Sequence, residues 1–174
     1  LSLHDALPIC GLADGLDSEG HRAAVEAGTP TVAFLGTAID TTSPAANVKL
    51  RQRIEKGGGA VCSEYPPGYQ GKQKGTFLAR NRLIAGLSEV LCVAEARIRS
   101  GTLNTVSHAE SLGRPVLAVP GSIYSAQSQG TNELLRSGRA GVLCQAADVL
   151  ACMGVEGESA APEQSAFAVE QTSP

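Results

Sequence analysis

The stretch GYQGKQKGTFLARNR at residues 68–82 interleaves the cations Lys72, Lys74, Arg80 and Arg82 with the rings of Tyr69 and Phe77. Cations neutralise backbone phosphates and aromatic rings take stacked bases, which is the combination that single-stranded nucleic acid requires. A solvated charged loop with Phe77 packed beneath it has the same composition, so these residues alone leave both readings open. Two further segments suit anions. Ser100-Gly101-Thr102, approached through Arg97 and Arg99, opens a helical pattern whose free N–H groups and dipole attract negative charge. Gly121-Ser122 follows a strand-like run and Gly130-Thr131-Asn132 opens the next helix, with small residues that let backbone amides come close to a phosphate. Such residues also serve as ordinary helix caps. Two such loops after adjacent strands tip the balance toward an anion site.

Signs of catalysis are thin. The glycine-rich stretches match neither the phosphate-binding G-x-x-x-x-G-K-[ST] pattern nor a strand-linked G-x-G-x-x-G, so no nucleotide cofactor is implied. His21 and His108 lie in amphipathic helical patterns without a partner at ligand spacing, which favours structural roles and gives no metal site. Glu64 and Glu95 end strand-like runs, where each is a possible base or the partner of a neighbouring arginine.

The elements that must position these residues follow from apolar periodicity. Short apolar runs at residues 31–36, 60–64, 89–94, 115–119 and 141–144 have the length and flanks of buried parallel strands. Helical patterns fill the gaps, at residues 17–27, from Ser43-Pro44 to the stop at Gly57-Gly58-Gly59, and at 81–87, 102–112, 132–136 and 146–153. Strands alternating with helices predict an α/β fold with a doubly wound, mostly parallel sheet of Rossmann type. The pattern starts with a helix, so a first strand is expected to be missing. Residues 1–9, LSLHDALPI, join no periodic pattern and are expected to be foreign and unpacked, leaving residues 10–153 as the domain. Residues 154–174 shift to Glu, Ser, Ala and Pro and are expected to form a linker or tail.

Composition narrows the partners. Net charge is −3, without the general basic excess of many nucleic-acid-binding domains, yet ten of the fourteen Lys and Arg residues fall within residues 49–99. A local basic face is therefore compatible with a negative total. Five cysteines without a Cys-x-x-Cys pair are expected to be small buried hydrophobes in a reducing, cytoplasmic setting, and no apolar run is long enough for a membrane span.

Taken in order, GLADGLDSEGHRAAVEAG, VAFLG, SEYPPG, F-x-x-RNRLIAGLS, VAEARIRSGTLNT and VPGSIYSAQSQGTNELL resemble the DNA-processing protein A (DprA/Smf) family over residues 11–150. The resemblance implies an extended Rossmann-like domain without enzymatic activity that forms a homodimer, binds single-stranded DNA and loads RecA during natural transformation. It assigns Lys74 to a phosphate, Phe77 to base stacking, and Arg80, Asn81 and Arg82 to the family's RNR block. It likewise assigns Ser100, Gly101, Thr102, Gly121 and Ser122 to anion-binding loops. The chain departs from the family at Asp14 and Gln129, where arginine is usual, and lacks the Gly-Ser-Arg that follows the family's first strand. An alternative is the related phosphoribohydrolase group, whose P-G-G-x-G-T-x-x-E loop is echoed by Pro120-Gly121-Ser122 and Gly130-Thr131-Asn132-Glu133, with a long insert between the halves.

Overall fold

The computed structural model describes residues 6–71 and 73–154, with the side chains of residues 73 and 74 outside that description. Among these residues the order is β1 Ile9–Cys10, α1 Leu16–Glu26, β2 Val32–Ala38, α2 Val48–Lys56, β3 Ala60–Tyr65, α3 Gln73–Leu87, β4 Leu91–Val93, α4 Gly101–Ser111, β5 Val116–Ala118, α5 Gln129–Arg136, β6 Gly141–Val142 and α6 Ala146–Cys152. Every strand pair is parallel, and helices carry the chain back between strands, as the α/β class requires. The expectation of one sheet is corrected. The strands form two three-stranded sheets, in the orders β1-β2-β3 and β4-β5-β6. A cleft lined by Ile9 and Cys10 on one side and by Leu91 and Cys92 on the other lies between β1 and β4.

Burial follows the position of each strand. The central strands β2 and β5 are buried almost throughout, because helices cover both faces. Val61 to Ser63, expected to be buried, are only half-buried, since β3 is an outer edge. Leu12, Leu35 and Ile54 belong to the core of the first sheet, and Val93, Val106, Ala118 and Leu134 to that of the second. Helices α3 and α4 pack together and join the two.

The longest departure from the sequence pattern is α3, which starts at Gln73 rather than Asn81 and so absorbs most of the cationic segment. Its buried positions are Thr76, Arg80, Asn81, Ile84 and Ala85, one continuous helical face. Three of these five are polar, so the face has no hydrophobic periodicity to betray it. The helix expected from Ser43-Pro44 likewise begins later, after a 3-10 turn at Ala45–Asn47. Asn47 Nδ2 donates to Leu12 O at 3.0 Å and to Ser18 Oγ at 2.8 Å, which pins α2 to the loop after β1.

Among the described residues a strand, not a helix, comes first. Val32 N donates to Pro8 O at 3.0 Å and Ile9 pairs with Val32, so the end of the segment expected to stay unpacked is part of the sheet. The edge amides of β2 need acceptors, and residues 8–10 supply them. The tail after Gly154 lies outside the described residues. None of the five thiols is fully buried, which corrects the expectation for cysteine: Cys92 and Cys144 are exposed and the others half-buried. Cys10 and Cys92 lie beside the cleft between the sheets, while Cys144 follows the outer strand β6.

His21 is fully buried in α1 and has the structural role expected of it. Thr31 Oγ1 donates to Pro8 O at 2.7 Å, so its remaining bond to His21 Nδ1, at 2.8 Å, is one that the imidazole must donate. Nε2 is then a bare acceptor, buried without a partner. Burial pushes the His21 pKa below its ordinary 6.5, opposed by the charge of Asp17. The unfolded chain therefore takes up the proton first, and stability present above pH 6.5 falls as the pH drops through that value toward the folded pKa. Urea unfolding at about pH 7.5 and about pH 5.5 should show this loss, and His21→Gln should reduce the difference between the two.

Candidate nucleic-acid interface

At the carboxyl end of β2, Thr76 Oγ1 donates to Gly36 O, which fixes the first turn of α3 against the strand. The ring of Phe77 lies on Gly36 so closely that a Cβ there would collide with it. Glycine at this position is thus a matter of space. The Arg80 guanidinium carbon sits 5.9 Å from the ring centroid on the same helix. Phe77 is half-buried, held by the backbone of β2 and still reachable from solvent.

Beside it is a cleft of about 300 Å³ lined by Gly36, Thr37, Thr41, Tyr69 and Thr76 among others. Tyr69 stacks on Tyr65 with centroids 4.7 Å apart and an interplanar angle of 24°. One face of Tyr69 is therefore already occupied. Gly36 and Tyr65 lie in the VAFLG and SEYPPG motifs, yet neither they nor Thr37 had a role assigned from sequence, because it arises only when β2, β3 and α3 meet.

The cations divide into distinct roles. Arg80, expected on DNA, is only 6% exposed, and its guanidinium donates to Gly11 O at 2.9 Å and to Phe34 O. It joins α3 to β2 and to the loop after β1, which removes it from the contact surface. Burial lowers its pKa, and the neighbouring Asp17 raises it. Asn81 is also buried, and its Nδ2 donates to Gly101 O and Asn104 Oδ1, both at 3.3 Å. This bond ties α3 to the start of α4. Arg82 is exposed and paired with Glu64, which settles Glu64 as an arginine partner. Arg99 is exposed, and Arg97 Nε donates to Gln127 Oε1 at 3.1 Å. The side chain of Lys74 lies outside the described residues, though its backbone is in the first turn of α3.

The two small-residue loops come together as expected. Ala96 N donates to Gln127 O at 2.8 Å and Gly130 N to Ala96 O at 2.7 Å, which zips the loop after β4 to the loop after β5. Asn132 closes the second loop by bonding both ways with Gly121, accepting from its N at 3.1 Å and donating to its O at 2.9 Å. Gly130 and Thr131 are buried in this joint, so they position the loop and do not offer contacts. Gly121, Ser122 and Gly101 are exposed, and Thr102 half-exposed. Ser100 precedes α4 with extended backbone, and its Oγ is buried without a partner. The insert between residues 122 and 130 does not keep the two halves of the Pro-Gly-Ser and Gly-Thr-Asn-Glu segment apart, since Asn132 reunites them, but Glu133 is engaged by Arg136 at 2.7 Å.

Thus α3, which carries Phe77, is tied through Asn81 to the start of α4, and the bonds of Ala96 join the loop before α4 to the loop that bears Gly121 and Ser122, at the carboxyl ends of the strands, where open α/β sheets take ligands. Among the described residues no group of three or more His, Cys, Asp or Glu is placed to hold a metal, and no helix is long and apolar enough to cross a membrane.

A family model for DNA recombination-mediator protein A matches residues 1–154. DNA processing protein DprA of Streptococcus pneumoniae is 44% identical over 143 residues, covering 82% of this chain and 50% of the relative. A putative DprA of Mycobacterium tuberculosis is 40% identical over 163 residues, covering 94% of this chain and 41% of the relative. The chain therefore spans half or less of the length of these curated relatives. The X-ray structure of the Streptococcus pneumoniae protein superposes with a TM-score of 0.77 at 42% identity, over 85% of this chain and 51% of that one. A structure of DNA processing protein A from Helicobacter pylori, described for its single-stranded DNA binding mode, gives 0.75 at 30% identity, over 85% and 66%.

Proposed function

The chain belongs to the DNA recombination-mediator protein A family, and on that premise we propose that it supplies a single-stranded DNA-binding surface, with Phe77 as a base platform and the loops after β4 and β5 as phosphate contacts. The observation that carries this reading is the seat of Phe77 on Gly36, one turn along α3 from Asn81, which bonds the start of α4. A half-exposed ring on a helix that is tied to the amino end of α4 offers a base and its phosphate separate partners. The contacts would be Lys74, Phe77, Arg97, Arg99, Ser100, Gly101, Thr102, Gly121 and Ser122. Arg82 contributes when it exchanges Glu64 for a phosphate.

As part of the longer protein, the chain would act as a homodimer that loads RecA on incoming strands in natural transformation, binding DNA in the cytoplasm without chemistry of its own. The reunited Gly121 and Asn132 segments favour a phosphoribohydrolase as the second reading. Release of free base from nucleoside monophosphates would support that enzyme instead.

Titration of fluorescent oligo-dT at several salt concentrations tests the main reading. Affinity should fall steeply with salt, because each neutralised phosphate adds roughly 0.7 to the slope of log affinity against log salt. Lys74→Ala should weaken binding and flatten that slope by about one phosphate's worth. Duplex of the same length should compete poorly, since its bases are not free to stack. Equal competition by duplex would sink the reading.

A further inference from the structure

The loop between β5 and α5 is closed at its base and held along its length. Gly121 exchanges two bonds with Asn132, and it lies so near Ser128 that a Cβ would strike that side chain. Ser125 N donates to Ser122 O at 3.0 Å and Ser128 N to Ser125 O at 3.1 Å, which makes two consecutive turns. The Ser122 hydroxyl also accepts from Tyr124 N at 3.3 Å, so the first turn is pinned twice. Such a loop keeps its shape without help from the side chains at its tip.

That tip is Ile123 and Tyr124, the central residues of the first turn, which are 75% and 92% exposed. Turn centres ordinarily carry Gly, Pro, Asn, Asp or Ser. Two large apolar side chains there add nothing to the core, and a ring held open to water on a fixed turn is ready for a ligand. Tyrosine suits that task, because it has few rotatable bonds and loses little entropy when a partner covers it.

The surroundings define the chemistry of that partner. The bonds of Ala96 with Gln127 and Gly130 hold the segment of Arg97 and Arg99 alongside this loop. Among the described residues Arg97 is engaged through Nε alone, by Gln127 Oε1 at 3.1 Å, so its terminal nitrogens can take a phosphate, and Arg99 is exposed. An apolar protein surface is a poor match, since the two tip residues rise from Ser122, Ser125, Gln127 and Ser128. Cations beside an open ring match a strand whose bases are unstacked.

We propose that Tyr124 is a second base platform, on which an unpaired base of single-stranded DNA stacks while Arg97 or Arg99 holds a neighbouring phosphate. This rests on the single-stranded DNA reading above and extends the surface from α3 to the loop after β5. Asn81 ties α3 to the start of α4, and Ala96 ties the segment before α4 to the loop of Tyr124, so both rings belong to one bonded edge.

The chain has no tryptophan, so Tyr124→Trp introduces a single indole at the tip without touching the core. On titration with oligo-dT its emission should lose most of its intensity. An abasic strand of the same length, which carries the phosphates alone, should leave it unchanged. Tyr124→Ala should weaken oligo-dT binding by about tenfold, in the range of one base stack, with the salt slope and the urea midpoint of the unmodified chain. An unquenched indole, equal quenching by the abasic strand, or full affinity in Tyr124→Ala, while oligo-dT still binds the unmodified chain, would overturn the platform and leave the reading of Phe77 standing. Failure of the unmodified chain to bind oligo-dT would overturn both. Emission that shifts with protein concentration alone would overturn the base as occupant in favour of a second copy.

Discussion

Replacing Arg80 with alanine is expected to lower the unfolding free energy by about 3–5 kcal/mol, because it leaves the carbonyls of Gly11 and Phe34 without their donor and empties the volume of a buried side chain. The side chain also holds three elements in register, since α3 meets β2 through Phe34 and meets the loop after β1 through Gly11. Arg80→Lys should recover little, because a single ammonium cannot reproduce the planar fork that serves carbonyls in two directions. Gly11→Ala should be harmful for the reciprocal reason: the added Cβ would collide with the guanidinium. Urea unfolding of the three variants measures these effects. If Arg80→Ala lost DNA affinity while keeping its stability within about 0.5 kcal/mol, Arg80 would be a DNA contact after all.

Phe77→Ala should weaken oligo-dT binding by roughly 1 to 3 kcal/mol, the usual worth of one base stacked on an aromatic ring, while the salt slope stays nearly unchanged. Loss of packing on Gly36 will also cost stability, so a second variant is needed to separate the roles. Phe77→Leu keeps most of the apolar contact and removes the π face, and should lose most of the binding with little loss of stability. Gly36→Val should reach a similar end by another route, since its side chain would push the ring off the strand. Full binding by Phe77→Leu would make Phe77 an ordinary packing residue.

The class of the fold and the clustering of the candidate loops were legible in the residues. Continuous apolar runs such as VAFLG and VLA can only be buried strands, and the helical patterns between them force parallel pairing. Small polar residues just past those strands mark the end at which open α/β sheets generally take ligands, and Ser100 and Gly121 are both there. The zipper from Ala96 to Gln127 and Gly130 then brings those loops together.

The role of each residue within the RNR block was not legible, since an arginine at a buried carbonyl and an arginine at a phosphate are the same letter. Arg80 and Arg82 are two positions apart, and helical geometry sends the first into the core and the second to Glu64 at the surface. The start of α3 was hidden for the same reason: its buried face carries Thr76, Arg80 and Asn81, whose burial is tolerated only because backbone carbonyls and Asn104 from other elements satisfy them. Nor could local pattern place the break between the two sheets, because strand pairing depends on neighbours distant in sequence. Sequence periodicity reports which way a side chain turns relative to its own element. Only the tertiary structure decides what it meets there.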